Sequence, residues 1–243
     1  MAVWPSSLLR VGTVAENTIA AHFHKPSGFT YRPGQTVSVV LPSVTSNAKE
    51  LRHIFSLVSA PHENELCITT RVRPGSAFKQ ALTELSDGAP LSIVGPYGYF
   101  TPQQADGNPL VFIAGGVGIA PFMSMLRDHV HRHSERPIRL VYSNRQAETA
   151  PFLDELYALQ KSASNVRLTL TMTGTAHSSW TGQRGRINDE MLVEALGGLN
   201  APTCFVAGTE QMVTAIKAQL ARIGTPRDSV YNEVFYGYES RQG

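Results

Sequence analysis

Val111-Phe112-Ile113-Ala114-Gly115-Gly116-Val117-Gly118-Ile119-Ala120-Pro121 runs an apolar strand straight into a glycine loop, with a helix opening behind it. Glycines let a backbone turn tightly and come close to a ligand with no side chain in the way. The helix start behind them offers unpaired N–H groups and a partial positive charge, which suit a pyrophosphate. The stretch departs from the strict GxGxxG fingerprint, and alone it fits a nucleotide loop or a tight turn. Its place at the carboxyl end of the first strand in an alternating series favours the nucleotide loop.

That series runs to the end of the chain. Apolar strands are predicted over 110–114, 138–142, 166–172, 204–207 and 229–234. Helices are predicted over 119–131, 151–159, 188–196 and 211–223, with Phe122, Met123, Leu126 and Val130 on one face of the first. Pro151 is tolerated in the first turn of the second helix, and Gly224 stops the last. Such alternation implies a parallel sheet with helices on both faces. Two further strand ends reach the ligand edge of such a sheet. Val206-Ala207-Gly208-Thr209-Glu210-Gln211-Met212 is a second ligand loop or a plain turn. Tyr142-Ser143-Asn144-Arg145 carries an arginine that meets a phosphate or solvent.

Upstream the grammar changes. Short strands are predicted over 9–14, 19–23, 36–41, 54–59, 66–72 and 91–94, the third behind the Arg32-Pro33-Gly34-Gln35 turn. This spacing suggests an antiparallel barrel or sandwich. One short helix fits 77–85, where Phe78, Leu82 and Leu85 share a face. The polar stretch 101–109, with Pro102, Gly107 and Pro109, reads as a linker, dividing the chain into domains 1–103 and 108–243. Three segments of the first domain carry candidate chemistry. In 51–61, strand alternation sets Phe55 and Leu57 against Ser56 and Val58, behind the basic pair Arg52-His53. Arg71-Val72-Arg73-Pro74-Gly75-Ser76-Ala77-Phe78 puts two arginines and a Gly-Ser loop before a helix start, which could accept a pyrophosphate. Gly95-Pro96-Tyr97-Gly98-Tyr99-Phe100 is a rigid turn that packs between domains or touches a ligand.

Composition excludes more than it selects. With 42% hydrophobic and 16% charged residues and a net charge of +2, the 243 residues read as globular and give nucleic-acid binding no support. Cys67 and Cys204 lie in apolar strand-like runs and read as buried free thiols. Two cysteines cannot supply the four thiolates of an iron–sulfur centre, so any such centre lies on another chain. No run of eighteen apolar residues predicts a transmembrane segment, no secretory signal is evident, and the cytoplasm is the expected location. His129, His131 and His133 do not share a helical face, and no metal site is expected.

Taken in order, the segment 52–59, the Gly75-Ser76 loop, residues 95–100, residues 115–121 and the C-terminal Glu233-Val234-Phe235 resemble the ferredoxin–NADP reductase superfamily. Trp180-Thr181-Gly182-Gln183-Arg184-Gly185-Arg186-Ile187 resembles its W-x-G-x-x-G-R segment. The resemblance covers nearly the whole chain and implies an antiparallel flavin barrel followed by an α/β nucleotide domain. It implies FAD and NADP or NAD as cofactors, hydride transfer from NAD(P)H to the flavin, and an electron-acceptor protein on a separate chain. The chain would be a ferredoxin or flavodoxin reductase or, alternatively, the reductase subunit of a multi-component oxygenase. A nucleotide-binding protein without flavin is the remaining reading.

The resemblance also implies roles. Phe55 would lie beside the flavin and Ser56 near its N5 edge. The arginine of R-x-Y/F-S falls on His53, with Arg52 one place early, so either meets the pyrophosphate. Arg71 and Val72 would lie by the ribityl and diphosphate portion, with Gly75 and Ser76 closing on the phosphates. Gly115, Gly116, Gly118 and Pro121 match the nicotinamide-nucleotide loop, with Asn144, Arg145, Gly208 and Met212 beside it. The usual Cys-Gly reads Ala207-Gly208, and the following proline is absent. The stretch Thr173-Gly174-Thr175-Ala176-His177 lacks the basic residue that goes with NADP, leaving Arg184 and Arg186 as candidates for a 2′-phosphate. Phe235, with Tyr236-Gly237-Tyr238, would return near the flavin.

Overall fold

A computed structural model describes residues 2–42, 51–73, 75–174 and 180–236. Pro74, residues 175–177, Gly237 and Tyr238 therefore lie outside the described residues. The chain forms two compact units. One holds the residues up to Thr101 together with Ala120–Asp128, and the other holds Pro102–Ile119 and the residues from His129 on.

The first unit is an antiparallel six-stranded barrel. Its strands are β1 (Val3–Ala15), β2 (Thr18–His24), β3 (Thr36–Val40), β4 (Arg52–Ser56) and β5 (Glu65–Arg71). After α1 (Ala77–Glu84) comes β6 (Pro90–Tyr97), and the order is β4-β3-β6-β1-β2-β5. Alternation dictates the core: Leu8, Phe23, Val37, Val39, Leu66, Ile68 and Ile93 are buried inside. The limits of β1, β4 and β6 differ most from the sequence expectation, β6 running on to Tyr97 instead of ending at 94. β1 begins at Val3, because its first five residues pair with β6 before the rest pairs with β2; Pro5-Ser6-Ser7 hides that signal. β4 spans Arg52–Ser56 rather than 54–59. Beyond Ser56 the chain leaves β3, and Leu57 bridges to Ile68 of β5, closing the barrel seam.

The second unit is a six-stranded parallel sheet. It contains β7 (Leu110–Gly115), followed by α2 (Ala120–His131), β8 (Ile138–Asn144), α3 (Leu153–Ser162), β9 (Val166–Met172), β10 (Gln183–Arg184), α4 (Asp189–Leu196), β11 (Thr203–Gly208), α5 (Glu210–Arg222) and β12 (Val230–Val234). The order is β10-β9-β8-β7-β11-β12. The chain builds outward from β7 in one direction, then crosses to β11 on its other side. The topological switch point thus lies between β7 and β11, where open α/β sheets bind ligands. The two-domain architecture agrees with the sequence reading.

The first nine residues of α2 group by contacts with the barrel. Ser124 Oγ donates to the Ser59 carbonyl at 2.6 Å, Arg127 meets Glu63 at 3.4 Å, and Phe122 packs on Phe100. Pro151 is not in a helical first turn. α3 starts at Leu153 behind Phe152, whose φ of 62° is left-handed, and Pro151 sits in the turn before it. The segment read as a linker is structured: Pro102–Ala105 is a 3-10 turn. Arg136 gathers it by donating to the carbonyls of Pro102, Ala105 and Asn108. Both cysteines are buried, and burial pushes the Cys204 thiol up to about 12, far from reactivity.

Candidate functional sites in the two units

In the second unit the predicted glycine loop lies at the switch point. Gly115 ends β7, and Gly116–Ile119 form a 3-10 turn before α2 begins at Ala120. The sequence reading had the helix opening directly at 119. The turn is held from two sides. The Tyr142 hydroxyl, at the end of a fully buried side chain, donates to the Gly116 carbonyl at 3.1 Å and contacts the Pro151 carbonyl at 3.3 Å. On the other side Gly118 lies flat against β11: a Cβ there would overlap the Ala207 carbonyl oxygen and come within 3.0 Å of Gly208 Cα. Met212, in the first turn of α5, fills the space over Gly115 and Gly208, and Thr209 caps that helix.

Asn144 ends β8 on the same edge. Its side chain is 6% exposed, and its Nδ2 has no hydrogen-bond partner. A buried amide donor left unmatched costs about 1–3 kcal/mol. A polar ligand at this edge would satisfy it, so the edge fits the oxygen-rich ribose and phosphates of a dinucleotide. The Asn144 backbone carbonyl accepts from Thr173 N–H at 2.8 Å, tying the ends of β8 and β9 together. Arg145, Arg184 and Arg186 are exposed near these strand ends, and Arg184 donates to the Trp180 carbonyl. The Phe235 N–H donates to the Gly208 carbonyl at 2.8 Å, which places Phe235 at the same carboxyl edge. Gly115, Gly116, Gly118, Asn144, Gly208, Met212 and Phe235 are therefore gathered at one end of the sheet, and Pro121 follows in α2.

In the barrel, the candidate residues divide between two faces of β4. Register with β3 sets Arg52 opposite Val40 and His53 opposite Val39. His53 and Phe55 lie on the same side of β4 as the fully buried Val39, with Phe55 buried and His53 exposed, while Arg52 and the 60% exposed Ile54 face the other way. Arg52 Nε donates to Ser38 Oγ at 2.8 Å, and its guanidinium reaches the Tyr97 hydroxyl at 3.5 Å. His53 stacks on Phe55 with ring centroids 4.9 Å apart, and both meet Phe78 of α1. Phe55 is buried in this ring cluster at the barrel seam, and Ser56 ends the strand, 3% exposed.

Next to the cluster, positive charge is concentrated. Arg71 ends β5, Arg73 follows it, and Lys79 lies in the first turn of α1, whose N-cap Ser76 accepts from the Lys79 N–H. Lys79 is 6% exposed, and its Nζ donates to the Arg71 carbonyl at 2.9 Å. Burial, then Arg73 and Arg71, pushes its pKa down to about 8. Burial also lowers the His53 pKa; Lys79 adds to this, against the hydrogen bond from His53 to the Ile54 carbonyl. Three cations crowding a helix start fit the pyrophosphate of FAD. His53 lies on their side of β4, and Arg52 on the other. Val72 anchors the loop through its N–H to the Asn17 carbonyl at 2.8 Å, and Gly75 adopts a φ of 90° between the arginines and the helix.

Sequence reasoning missed Tyr142 and Lys79. Tyr142 reads as a strand residue, and its distant carbonyl partners leave no local spacing signal. Lys79 reads as an ordinary polar helix position until the barrel buries it.

Comparison with known proteins matches both halves of the chain to cofactor-binding families. Residues 3–101 match a family model described as an FAD-binding domain, and residues 112–218 match one described as an oxidoreductase NAD-binding domain. The chain is 33% identical over 215 residues to ferredoxin–NADP reductase B of Sorangium cellulosum, covering 84% of this chain and 85% of that protein. It is 26% identical to the reductase component of propane 2-monooxygenase of Mycolicibacterium goodii, covering 87% of this chain but 61% of that longer protein. The fold superposes with a TM-score of 0.81 on a Neisseria gonorrhoeae ferredoxin NADP+ reductase solved with bound FAD and NADP, at 21% identity, covering 96% of this chain and 99% of that one.

Proposed function

Since the chain belongs to the ferredoxin–NADP reductase family and is an FAD-dependent NAD(P)H oxidoreductase, we propose that it passes electrons from a reduced nicotinamide nucleotide to a redox protein on a separate chain, with ferredoxin as the leading acceptor. One observation carries the separate acceptor. These 243 residues hold only Cys67 and Cys204, both buried and too few for a four-thiolate cluster. An acceptor protein on a separate chain is in keeping with this count and with the relative named as a reductase component. The cytoplasm is the location this reading assumes. Among the described residues no helix is long and apolar enough to cross a membrane.

Bound FAD would supply the capacity to accept a hydride equivalent from the nicotinamide and to pass the electrons on singly or as a pair. The chain's own residues position and hold. The 116–119 turn, pinned by Tyr142, presents its N–H groups to the nucleotide pyrophosphate. Asn144 Nδ2 donates to the ribose or phosphate portion, and Phe235 flanks the nicotinamide end. In the barrel, Arg71, Arg73 and Ser76 hold the flavin pyrophosphate, His53 stands beside them, and Phe55 supports the ring. Ser56 donates its hydroxyl to the reactive edge of the flavin. Removing one positioned donor commonly lowers a rate by about 10²–10³. Ser56→Ala is thus expected to slow flavin reduction about 100-fold while FAD stays bound. Stopped-flow reduction measures this, and a wild-type rate would reduce Ser56 to a packing residue.

A second reading, the reductase component of an oxygenase, is favoured by the match to the propane 2-monooxygenase reductase component. The two separate on reoxidation. The anaerobically reduced chain is mixed with oxidised ferredoxin or with an oxygenase component. Reoxidation by ferredoxin within seconds supports the first reading. A chain that stays reduced with ferredoxin but is reoxidised by the oxygenase component supports the second.

A further inference from the structure

We propose that the second unit carries a further binding site, for a small organic cation with an apolar body, in a cavity at the amino-terminal edge of its sheet. The proposal stands apart from the electron-transfer reading and from both cofactor sites.

The place argues for it first. Helix ends and turns between Gln104 and Tyr231 enclose a cavity of about 590 Å³, within the range of pockets that hold small molecules. Thr203, the first residue of β11, lines it and is 3% exposed. β11 runs from Thr203 to Gly208. The cavity therefore lies five residue steps, roughly 16 Å, from the nucleotide loop, at the opposite end of the same strand. Its walls are apolar. Leu196 and Leu199 come from the end of α4 and the turn behind it, Ile223 from the end of α5, Pro202 from before β11, and Tyr231 from β12. Each is only half-buried, so their apolar surface converges on the cavity instead of the core. Tyr231 is fixed from two sides. Its ring stacks on Phe205 with centroids 5.2 Å apart, and its hydroxyl donates to the Gln104 carbonyl at 3.3 Å. These walls suit a hydrocarbon or aromatic body.

The charge argues next. Among the described residues that line the cavity are two exposed carboxylates, Asp106 and Asp228, and no lysine, arginine or histidine. Two helices end on it, α4 at Leu196 and α5 at Arg222, and a helix carboxyl end carries partial negative charge. The neighbouring arginines are engaged elsewhere or lie outside the walls. Arg222 pairs with Asp189 at 2.6 Å. Arg136 donates to the carbonyls of Pro102, Ala105 and Asn108. Arg227 precedes Asp228 in the chain but does not line the cavity. An ammonium group on an apolar body answers both features, the walls taking the body and the carboxylates and helix ends the charge. A carboxylate or phosphate ligand would meet charge of its own sign.

The probe is 2-phenylethylamine, an ammonium at neutral pH like a lysine side chain, with 3-phenylpropanoate as an anion of similar size. Each is titrated into the FAD-loaded protein and followed through the backbone amide resonances of residues 104–108, 196–203 and 223–231. The amine should shift these resonances saturably, with a dissociation constant on the order of 1 mM, as suits a ligand of this size. The carboxylate should bind at least about fivefold more weakly. Asp106→Asn keeps a residue that tolerates the left-handed φ of 40° there, and Asp228→Asn changes an exposed position, so neither threatens the fold. Together they should weaken the amine by about three- to tenfold. Saturating oxidised nicotinamide nucleotide should leave the amine's affinity unchanged. Four results overturn the proposal: no saturation by about 10 mM amine, equal binding of the carboxylate, full amine affinity in the double variant, or displacement of the amine by the nucleotide.

Discussion

Gly118→Ala should leave FAD in place and lose at least tenfold in affinity for the nicotinamide nucleotide. The added methyl has nowhere to go. It would lie 2.7 Å from the Ala207 carbonyl carbon and overlap the attached oxygen. Those atoms are backbone at the end of a central parallel strand, bonded to β7 on one side and β12 on the other. They cannot swing aside as a flexible side chain would, so the 116–119 turn must move instead. Overpacking of this kind costs about 1–3 kcal/mol, and the turn that moves is the one that presents its N–H groups to the pyrophosphate. Calorimetric titration with the oxidised nucleotide, which binds without reacting, isolates the effect from chemistry. Unchanged nucleotide affinity would remove this turn from the binding site. The barrel cations at 71–79 belong to the other unit, so flavin content serves as the internal control.

The largest stability loss is expected from Gly34→Ala. Gly34 has a φ of 93°, and a Cβ there would overlap the Phe100 carbonyl oxygen and the Met125 methyl. The left-handed backbone alone costs an L-residue about 1–2 kcal/mol. The overlap with Phe100 backbone adds about as much again, so a total near 3 kcal/mol is expected. Gly88→Ala provides the comparison: Gly88 has a similar φ of 82° but nothing within 4 Å of the added carbon. It should lose only the backbone share. Urea unfolding of both variants, with an unchanged m-value, gives the difference. Equal losses would mean that the crowding at Gly34 is relieved without cost.

Much of this was legible in the residues. Glycines between an apolar strand and a helix marked the switch-point loop, because only a close backbone approach needs them there, and Gly118 against Ala207 is that approach. Alternation marked the barrel strands, since inward positions such as Val37, Val39 and Ile93 must be apolar. The facing of β4 was not legible. Whether Arg52 or His53 shares a side with the phosphate-binding cations depends on register with β3, and that register is fixed by pairing far along the chain. Tyr142 and Lys79 were hidden for a related reason. Each acts through a backbone carbonyl, Gly116 or Arg71, and carbonyls carry no residue-specific signal. The start of α3 was misplaced because Phe152 adopts a left-handed conformation that its side chain does not advertise. The grouping of Ala120–Asp128 with the barrel follows from hydrogen bonds such as Ser124 to Ser59, which no periodicity encodes.

The central claim is that one chain binds FAD and reduces it with a nicotinamide nucleotide. Its most direct test is the visible spectrum of the purified protein under anaerobic conditions, with NADPH and NADH added in turn. The account predicts the absorbance band of an oxidised, protein-bound flavin, bleached by at least one of the two nucleotides and restored by an electron acceptor. A colourless protein, or a flavin band that neither nucleotide bleaches, would contradict it.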